Sequence, residues 1–432
     1  MILYYFSESA RMQRNARNWL HLADKVYHFR RDRLTEPELA ALTQERNNVR
    51  QKLKTRADAS VLKLAIEGLE PCLRQSGGPF YPKSTAVEYV EFFLVAAILF
   101  LGIRAFILQP FKIPTNSMSP SFYGMTGEVY ATPDDEPNLV SKMVGFAAFG
   151  ATTRRVNAPA SGDIRLPIAG NGDGYQIFYR TVPGRRWLLL PTRLREYSFM
   201  IGDQSMTVKV PTDFDIRPIL SKAWFGDPDS LEKNLRERLR RGKAEHIYLK
   251  FDDGSATKRV LSVPTGKRVS KGDRLLSFDI LTGDQLFVDR ISYHFVRPKV
   301  GDGFVFRTRN IDGLARNGKP DDKYYIKRLV GTPGNTLEIR EPKLYRNGEP
   351  ITGSPAFAKN ADREGLYRGY QARNLLKKGK VVTVPKDGYF AMGDNSYNSL
   401  DSRVWGFVPE ADVVGRPLLI YYPFTRRWGP TD

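Results

Sequence analysis

The chain has 432 residues, 41% of them hydrophobic, with 67 Lys plus Arg against 47 Asp plus Glu, a formal charge of +20. That length allows two or more folding units, and the composition fits globular cores plus one membrane segment, which excludes a multi-span transporter. One cysteine, Cys72, excludes an intrachain disulfide, and four scattered histidines without metal-ligand spacing (His21, His28, His246, His294) argue against a metal hydrolase. The basic residues are spread through every region with no zinc spacing or RNA-binding signature, so the charge reads as affinity for anionic lipid surfaces rather than nucleic acid.

Residues 1–85 read as basic and helical, with 15 Lys plus Arg against 9 Asp plus Glu. Thr35 before Glu36-Pro37 marks a helix start. Apolar positions such as Leu39, Leu42, Val49, Leu53, Val61 and Leu64 predict a helical hairpin packed on itself. No cleavable signal sequence is expected to open the chain.

The run Phe92 to Ile103 is apolar but only a dozen residues long. Extended from Tyr89 to Leu108 it reaches about 20 residues, one bilayer thickness, with Glu91 and Arg104 near its ends, where long side chains can snorkel. A transmembrane helix over 86–108 is expected, its N-terminal side cytoplasmic because the short preceding segment is basic.

From about residue 128 onward, short alternating stretches are broken by turns such as Gly272-Asp273, Gly283-Asp284, Gly301-Asp302 and Asn347-Gly348. This rhythm predicts a mainly antiparallel β domain. One helix is expected after Asp227-Pro228, with Leu231, Leu235 and Leu239 on one face and a stop at Gly242. His294 falls in a predicted strand, Ile291 to Phe295, as a surface or packed side chain. Within 128–275, Arg185-Arg186-Trp187 stands out but forms no chemistry-bearing constellation.

Two stretches carry candidate chemistry. Phe111-Lys112-Ile113-Pro114-Thr115-Asn116-Ser117-Met118-Ser119-Pro120 places a serine just beyond the hydrophobic segment. Tyr325-Ile326-Lys327-Arg328-Leu329-Val330-Gly331-Thr332-Pro333-Gly334 places a lysine among apolar neighbours, where a neutral amine could serve a serine nucleophile as base. A lysine begins near pKa 10.4, so acting near pH 8 needs a depression of about two units, roughly 3 kcal/mol. Burial must supply it, with adjacent Arg328 expected to add repulsion. Each motif alone has a bland reading: Ser117 as a loop or cap serine, Lys327 as a solvated strand lysine.

Together with Gly393-Asp394-Asn395-Ser396-Tyr397-Asn398-Ser399-Leu400-Asp401-Ser402-Arg403, with Arg104-Ala105-Phe106 leading into Pro110-Phe111, and with Gly283-Asp284-Gln285-Leu286-Phe287-Val288 opening a strand, these stretches resemble the ordered motif boxes of bacterial type I signal peptidases. The resemblance covers roughly 86–125 and 280–425. It departs at Thr115, where the family usually has serine, at Asn116, often glycine, and at Asn335, usually aspartate.

The resemblance implies a membrane-anchored serine endopeptidase that removes signal peptides from translocated preproteins. By that carry-over Ser117 is the nucleophile and Lys327 the base, and the Ser117 N–H with the Thr115 hydroxyl forms the oxyanion hole. Ser399 would orient the lysine, Asp401 and Arg403 would form a supporting ion pair, Gly393 would allow close backbone approach, and Ile113 and Ile326 would line the substrate pockets. No metal or cofactor is implied. The partners are preprotein signal peptides and the phospholipid bilayer, with room for the secretion translocon.

The fold class implied is a signal-peptidase-like antiparallel β catalytic domain (109–127 and 276–432), with a β-rich insert of unknown role (128–275), an N-terminal helical hairpin (1–85) and one transmembrane helix. The setting implied is the bacterial cytoplasmic membrane, with the catalytic domain outside. Two other readings stand beside this one: a self-cleaving Ser/Lys protease resembling the SOS-response repressors, and an inactive peptidase-like membrane binding protein.

Overall fold

The computed structural model describes residues 8–171, 174–186, 190–227, 230–249, 251, 257–315 and 319–431. Pro228 and Trp187 lie outside the described residues. The chain divides into two compact units, Met1–Leu101 and Gly102–Asp432.

In the first unit, three helices, α1 (Glu8–Arg30), α2 (Glu36–Lys54) and α3 (Ala59–Ser76), take the place of the expected hairpin. The Glu38 carboxylate accepts from Thr35 N at 2.9 Å, which fixes the start of α2 at the residue the sequence marks. The third helix arises because Leu62, Ala65, Ile66, Leu69 and Leu73 form one buried stripe that packs with Ala16, Ala23 and Val26 of α1 and Leu42 and Val49 of α2. Leu64, expected inside, is 67% exposed because it lies off that stripe. Asp24 of α1 holds Arg50 of α2 at 2.6 Å.

The helix α4 (Thr85–Gly102) continues through a π turn to Ile107. Thr85–Ile107 is the one candidate span among the described residues, with mean hydropathy 2.3 and none of that apolar window buried.

The second unit is mainly antiparallel β. Its central sheet runs in the order Leu108–Lys112, Gln285–Asp289, Val413–Tyr422, Gly303–Arg307, Tyr324–Gly331, Gly388–Met392, Val408–Pro409. Tyr324–Gly331 is an interior strand, hydrogen-bonded on both sides and buried from Ile326 to Gly331. A polar residue placed in it is therefore desolvated whichever face it occupies. A smaller sheet, Glu349–Pro350, Lys343–Arg346, Thr336–Arg340 and Val382–Thr383, has its own core around Leu337, Leu344 and Phe357.

Between Lys112 and Gln285 the chain builds a second β region. A sheet with the path Tyr179–Arg186, Leu190–Ile201, Gly162–Asn171, Lys258–Val269, Glu245–Leu249 is accompanied by a three-stranded sheet of Thr126–Val129, Arg274–Leu281 and Thr152–Asn157. The two share one core, in which Phe278 of Arg274–Leu281 stacks on Phe214 and Phe199 meets Trp224 edge-on. Among the described residues three helices belong to this region: α5 (Leu139–Phe149), α6 (Arg217–Phe225) and α7 (Ser230–Arg240), the last being the one legible in the sequence. His294 lies in a 3-10 turn, Ser292–His294, rather than a strand, because the Asp289 carboxylate accepts from the N–H groups of Ile291 and Ser292 and curls the chain.

Candidate active site

Ser117 sits in a short 3-10 turn, Asn116–Met118, three residues beyond the edge strand Leu108–Lys112. Three contacts fix that turn. The Asn116 carbonyl oxygen of the side chain accepts from Gly124 N at 2.9 Å, its amide donates to Met125 O at 3.2 Å, and Asn395 N donates to Ser117 O at 3.1 Å. Asn116 therefore clamps the loop through its side chain. Met118 is fully buried with Ile113, Phe122, Leu286 and Ile326, which anchors the turn from below.

Lys327 extends from the interior strand to the serine. Its Nζ donates to Ser117 Oγ at 2.5 Å and to the Ile326 carbonyl at 3.2 Å. Both residues are buried, 8% and 4% exposed. Burial lowers the Lys327 pKa to about 8 against the opposing pull of the Asp401 and Asp394 carboxylates. An amine with that pKa is substantially neutral at mildly alkaline pH, and only the neutral form can accept a proton from a serine. The Thr115 hydroxyl lies 3.4 Å from Ser117 Oγ.

The remaining named residues converge from Gly388–Met392 and the loop after it. Asp401 and Arg403 are wholly buried and paired at 2.7 Å. Arg403 also donates to Gln371 O, Ser396 Oγ and Ser396 O, each at 2.7 Å, and Asp401 accepts from Gly393 N at 3.2 Å. A side chain on Gly393 would collide with Ser399 Oγ and the Ser117 carbonyl oxygen, so only glycine fits between them. Ser399 Oγ is buried with no hydrogen-bond partner among the described residues. Its carbonyl accepts from Arg373. Ile113 and Ile326 lie in one buried cluster on the serine side.

Arg328 behaves differently from its sequence expectation. Strand alternation turns it to the face opposite Lys327, where it forms a buried bidentate pair with Asp394 (2.8 and 2.7 Å) and donates to the Gly301 carbonyl at 2.7 Å. Its charge is thus spent on Asp394, and the repulsion that Lys327 feels comes from Arg403. Asp394 also accepts from Ser121 Oγ at 2.6 Å, which ties the serine loop to the same pair. Arg328, Asp394, Ser121 and Asn395 were missed as site residues; the consecutive Lys327-Arg328 on an apolar strand was the available signal, since two buried cations need two separate partners. Asn335 closes the turn after Pro333-Gly334, its side-chain oxygen accepting from Thr332 N at 3.1 Å.

Residues 276–422 match the sequence pattern of the family described as signal peptidase, peptidase S26. The signal peptidase I P of Bacillus subtilis subsp. natto is 31% identical over 150 residues, 34% of this chain and 71% of that protein. This chain belongs to the signal peptidase I family. A probable signal peptidase I-1 of Synechocystis sp. is 36% identical over 147 residues, 34% of this chain and 66% of that protein. A solved signal peptidase I from Enterococcus faecalis is 28% identical, covering 28% of this chain and 97% of that one, with a TM-score of 0.20. The chain spans about two thirds of the length of the first curated relatives it matches. The family match contains Lys327, Gly393, Ser399, Asp401 and Arg403 but ends short of Ser117 and Thr115, which lie upstream of it.

Proposed function

We propose that this chain is a membrane-anchored serine endopeptidase that cleaves signal peptides from translocated preproteins with a Ser117/Lys327 dyad. The observation that carries the reading is the 2.5 Å contact between a buried lysine inside the family match and a serine 210 positions upstream, outside it. Two ordinary solvated side chains would have no reason to meet in the interior at the cost of desolvating an amine.

In the proposed reaction, neutral Lys327 takes the Ser117 Oγ proton as the oxygen attacks the scissile carbonyl. The Ser117 N–H and the Thr115 hydroxyl meet the oxyanion. Lys327 then passes the proton to the leaving amine, and by accepting another from water it drives hydrolysis of the acyl-enzyme. Ser399 receives the lysine's additional N–H as it becomes an ammonium, which gives its unpartnered hydroxyl a task. The Asp401–Arg403 pair and Gly393 hold this arrangement in register. The substrate lies extended along the edge strand Leu108–Lys112, with small residues in shallow pockets walled by Ile113 and Ile326. No metal or cofactor enters.

The reading places residues 1–85 in the cytoplasm, a single span over 86–108, and the catalytic domain, 109–127 with 276–432, outside, the 128–275 region being an insert. Holding the site close to the bilayer raises its effective concentration toward signal peptides already anchored there. The bilayer and the signal peptide are the partners, with the secretion translocon a further one.

The test is turnover of a model preprotein by purified full-length protein. Ser117→Ala, Lys327→Ala and Lys327→Arg should each abolish cleavage while the protein still unfolds in one cooperative transition, the Arg variant because guanidinium never becomes the free base. Turnover retained in any of the three defeats the mechanism. Protease added outside spheroplasts should digest the β domain and spare the helices; the reverse pattern would revive a cytoplasmic self-cleaving enzyme.

A further inference from the structure

The helix α5 is built inside out for a surface facing water. Asn138 caps it, its side-chain oxygen accepting from Ser141 N at 2.9 Å, and Gly150 closes it in left-handed backbone at φ +61°. Its half-buried positions are Lys142, Gly145 and Ala148, three apart on one face and small or polar. Its open face carries Leu139 (76% exposed), Val140, Met143, Val144 and Phe146. An ordinary surface helix turns such side chains inward. Five large apolar side chains thus present a continuous stripe to whatever lies outside the domain.

The protein holds that stripe in a fixed place. Phe424 N donates to Ala148 O at 3.0 Å, Ala151 N to Gly145 O at 3.1 Å, and Thr282 N to Phe149 O at 3.2 Å. Two residues beyond Thr282, the Asp284 carbonyl accepts from Ile113 N at 2.8 Å, so the helix is tied to the start of the Ser117 loop. The strand pair that begins there ends with Leu108 opposite Asp289, and Arg290 N donates to Ile107 O at 3.0 Å, at the last residue of the candidate span. Six strand steps separate the two points, about 20 Å. An 11-residue helix is about 16 Å long, too short to cross a bilayer.

We propose that α5 lies in the membrane interface as a second, non-spanning lipid contact of the second unit, its apolar stripe immersed and Lys142 at the headgroup level. The proposal rests on Thr85–Ile107 being a membrane span. A bilayer is favoured over a protein partner because the span keeps lipid beside this unit at all times. The exposed apolar surface continues onto Phe424, 57% exposed, and the flanking exposed Arg426 suits anionic headgroups. Two attachments, the span and α5, set the height and tilt of the Ser117 loop over the lipid, which one flexible tether does not.

The test uses the full chain in a Cys72→Ser background, with a polarity-sensitive fluorophore on Val144→Cys or, as a control on α7, on Lys233→Cys. The protein is reconstituted into phosphatidylethanolamine and phosphatidylglycerol vesicles with or without spin-labelled lipid. The Val144 label should be quenched by the lipid on the order of threefold or more above the control and be shielded from aqueous iodide. Equal iodide access and no lipid quenching at Val144 overturn the proposal. A label shielded only on adding preprotein, or only at high protein-to-lipid ratio, assigns the stripe to substrate or a second copy and likewise overturns it. None of these readouts needs cleavage, and carbonate extraction of the full chain tests the span separately, so failure of α5 and failure of the protease reading are told apart.

Discussion

The second unit contains two antiparallel β regions that bury polar groups in different ways, and the difference says where chemistry can occur. Beside the central sheet, Ser117, Lys327, Arg328, Asp394, Ser396, Ser399, Asp401 and Arg403 are all buried, and hydrogen bonds join Ser117 to Lys327, Arg328 to Asp394, and Arg403 to Ser396 and Asp401. In the region between Lys112 and Gln285, the buried polar groups are dispersed. Glu196 pairs with Arg180 and Lys209, Asp279 accepts from Tyr130 at 2.8 Å, and Thr265 donates to Ile164 O at 2.9 Å, each a local repair of one strand or corner. Sheet for sheet the two are alike. Convergence of desolvated groups around one serine, at the cost that convergence imposes, marks the first as the candidate site.

The sharpest way to break that contrast is to open one buried pair in each region. Asp401→Ala leaves Arg403 as a wholly buried, unpaired charge and should cost about 3–5 kcal/mol. Glu196→Ala should cost less, about 1–2 kcal/mol, because both cations it leaves, Arg180 at 21% and Lys209 at 55% exposed, still reach water, which can take over part of the solvation. Thermal unfolding in detergent reads both costs. Cleavage assayed well below each transition should be lost in Asp401→Ala and retained in Glu196→Ala; loss of turnover in the second variant would make the insert part of the catalytic machinery.

The same contrast explains what was legible in the sequence. Ser117 and Lys327 stand out by residue type and setting, whereas Gly393, Asp401 and Arg403 were singled out only through the resemblance to the signal-peptidase motif boxes. Strand punctuation, Thr35 and the Leu231, Leu235, Leu239 stripe act through local chain physics. What escaped depends on contacts remote in sequence. Nothing within a few residues of Arg328 tells that Asp394 will meet it, nor that Gly145 and Ala148 rather than Met143 and Val144 will face the domain. The third N-terminal helix was missed for a related reason: Val61 and Leu64 sit beside the true stripe of Leu62, Ala65 and Leu69 and blur its period.

The next prediction sharpens the role of the serine loop. Thr115→Val keeps the β-branched shape and removes the hydroxyl that lies 3.4 Å from Ser117 Oγ. If that hydroxyl meets the oxyanion, kcat should fall on the order of 10²-fold, about 3 kcal/mol in the transition state. Thr115→Ser should stay within a few-fold of the parent, since it keeps the donor. Equal rates for the two variants would leave the Ser117 N–H as sole stabiliser. No insert hydroxyl, Thr265 included, should show such a split between the isosteric and the hydroxyl-preserving variant.

The smallest expected effect is the most telling, because its sign opposes intuition about removing a buried hydrogen-bonded contact. Lys327 begins near pKa 10.5 in the unfolded chain and is lowered to about 8 by burial. Above pH 10.5 the side chain is neutral in both states, and burial of its charge costs nothing. As pH falls from there to about 8, the unfolded state binds a proton that the folded state resists, and stability drops; below about 8 the loss is complete. The full difference would be about 3 kcal/mol, and relaxation around the amine reduces it, so a gain of about 1–2 kcal/mol is expected when the charge is removed. Lys327→Met should therefore unfold at a higher temperature than the parent at pH 7, with the advantage shrinking toward pH 10, while cleavage is abolished. In the parent, cleavage should rise with pH and reach half its plateau near pH 8, following the same ionisation. A Met variant no more stable than the parent at pH 7 would mean that the lysine charge is solvated in the folded state, and an amine so solvated could not serve Ser117 as a base.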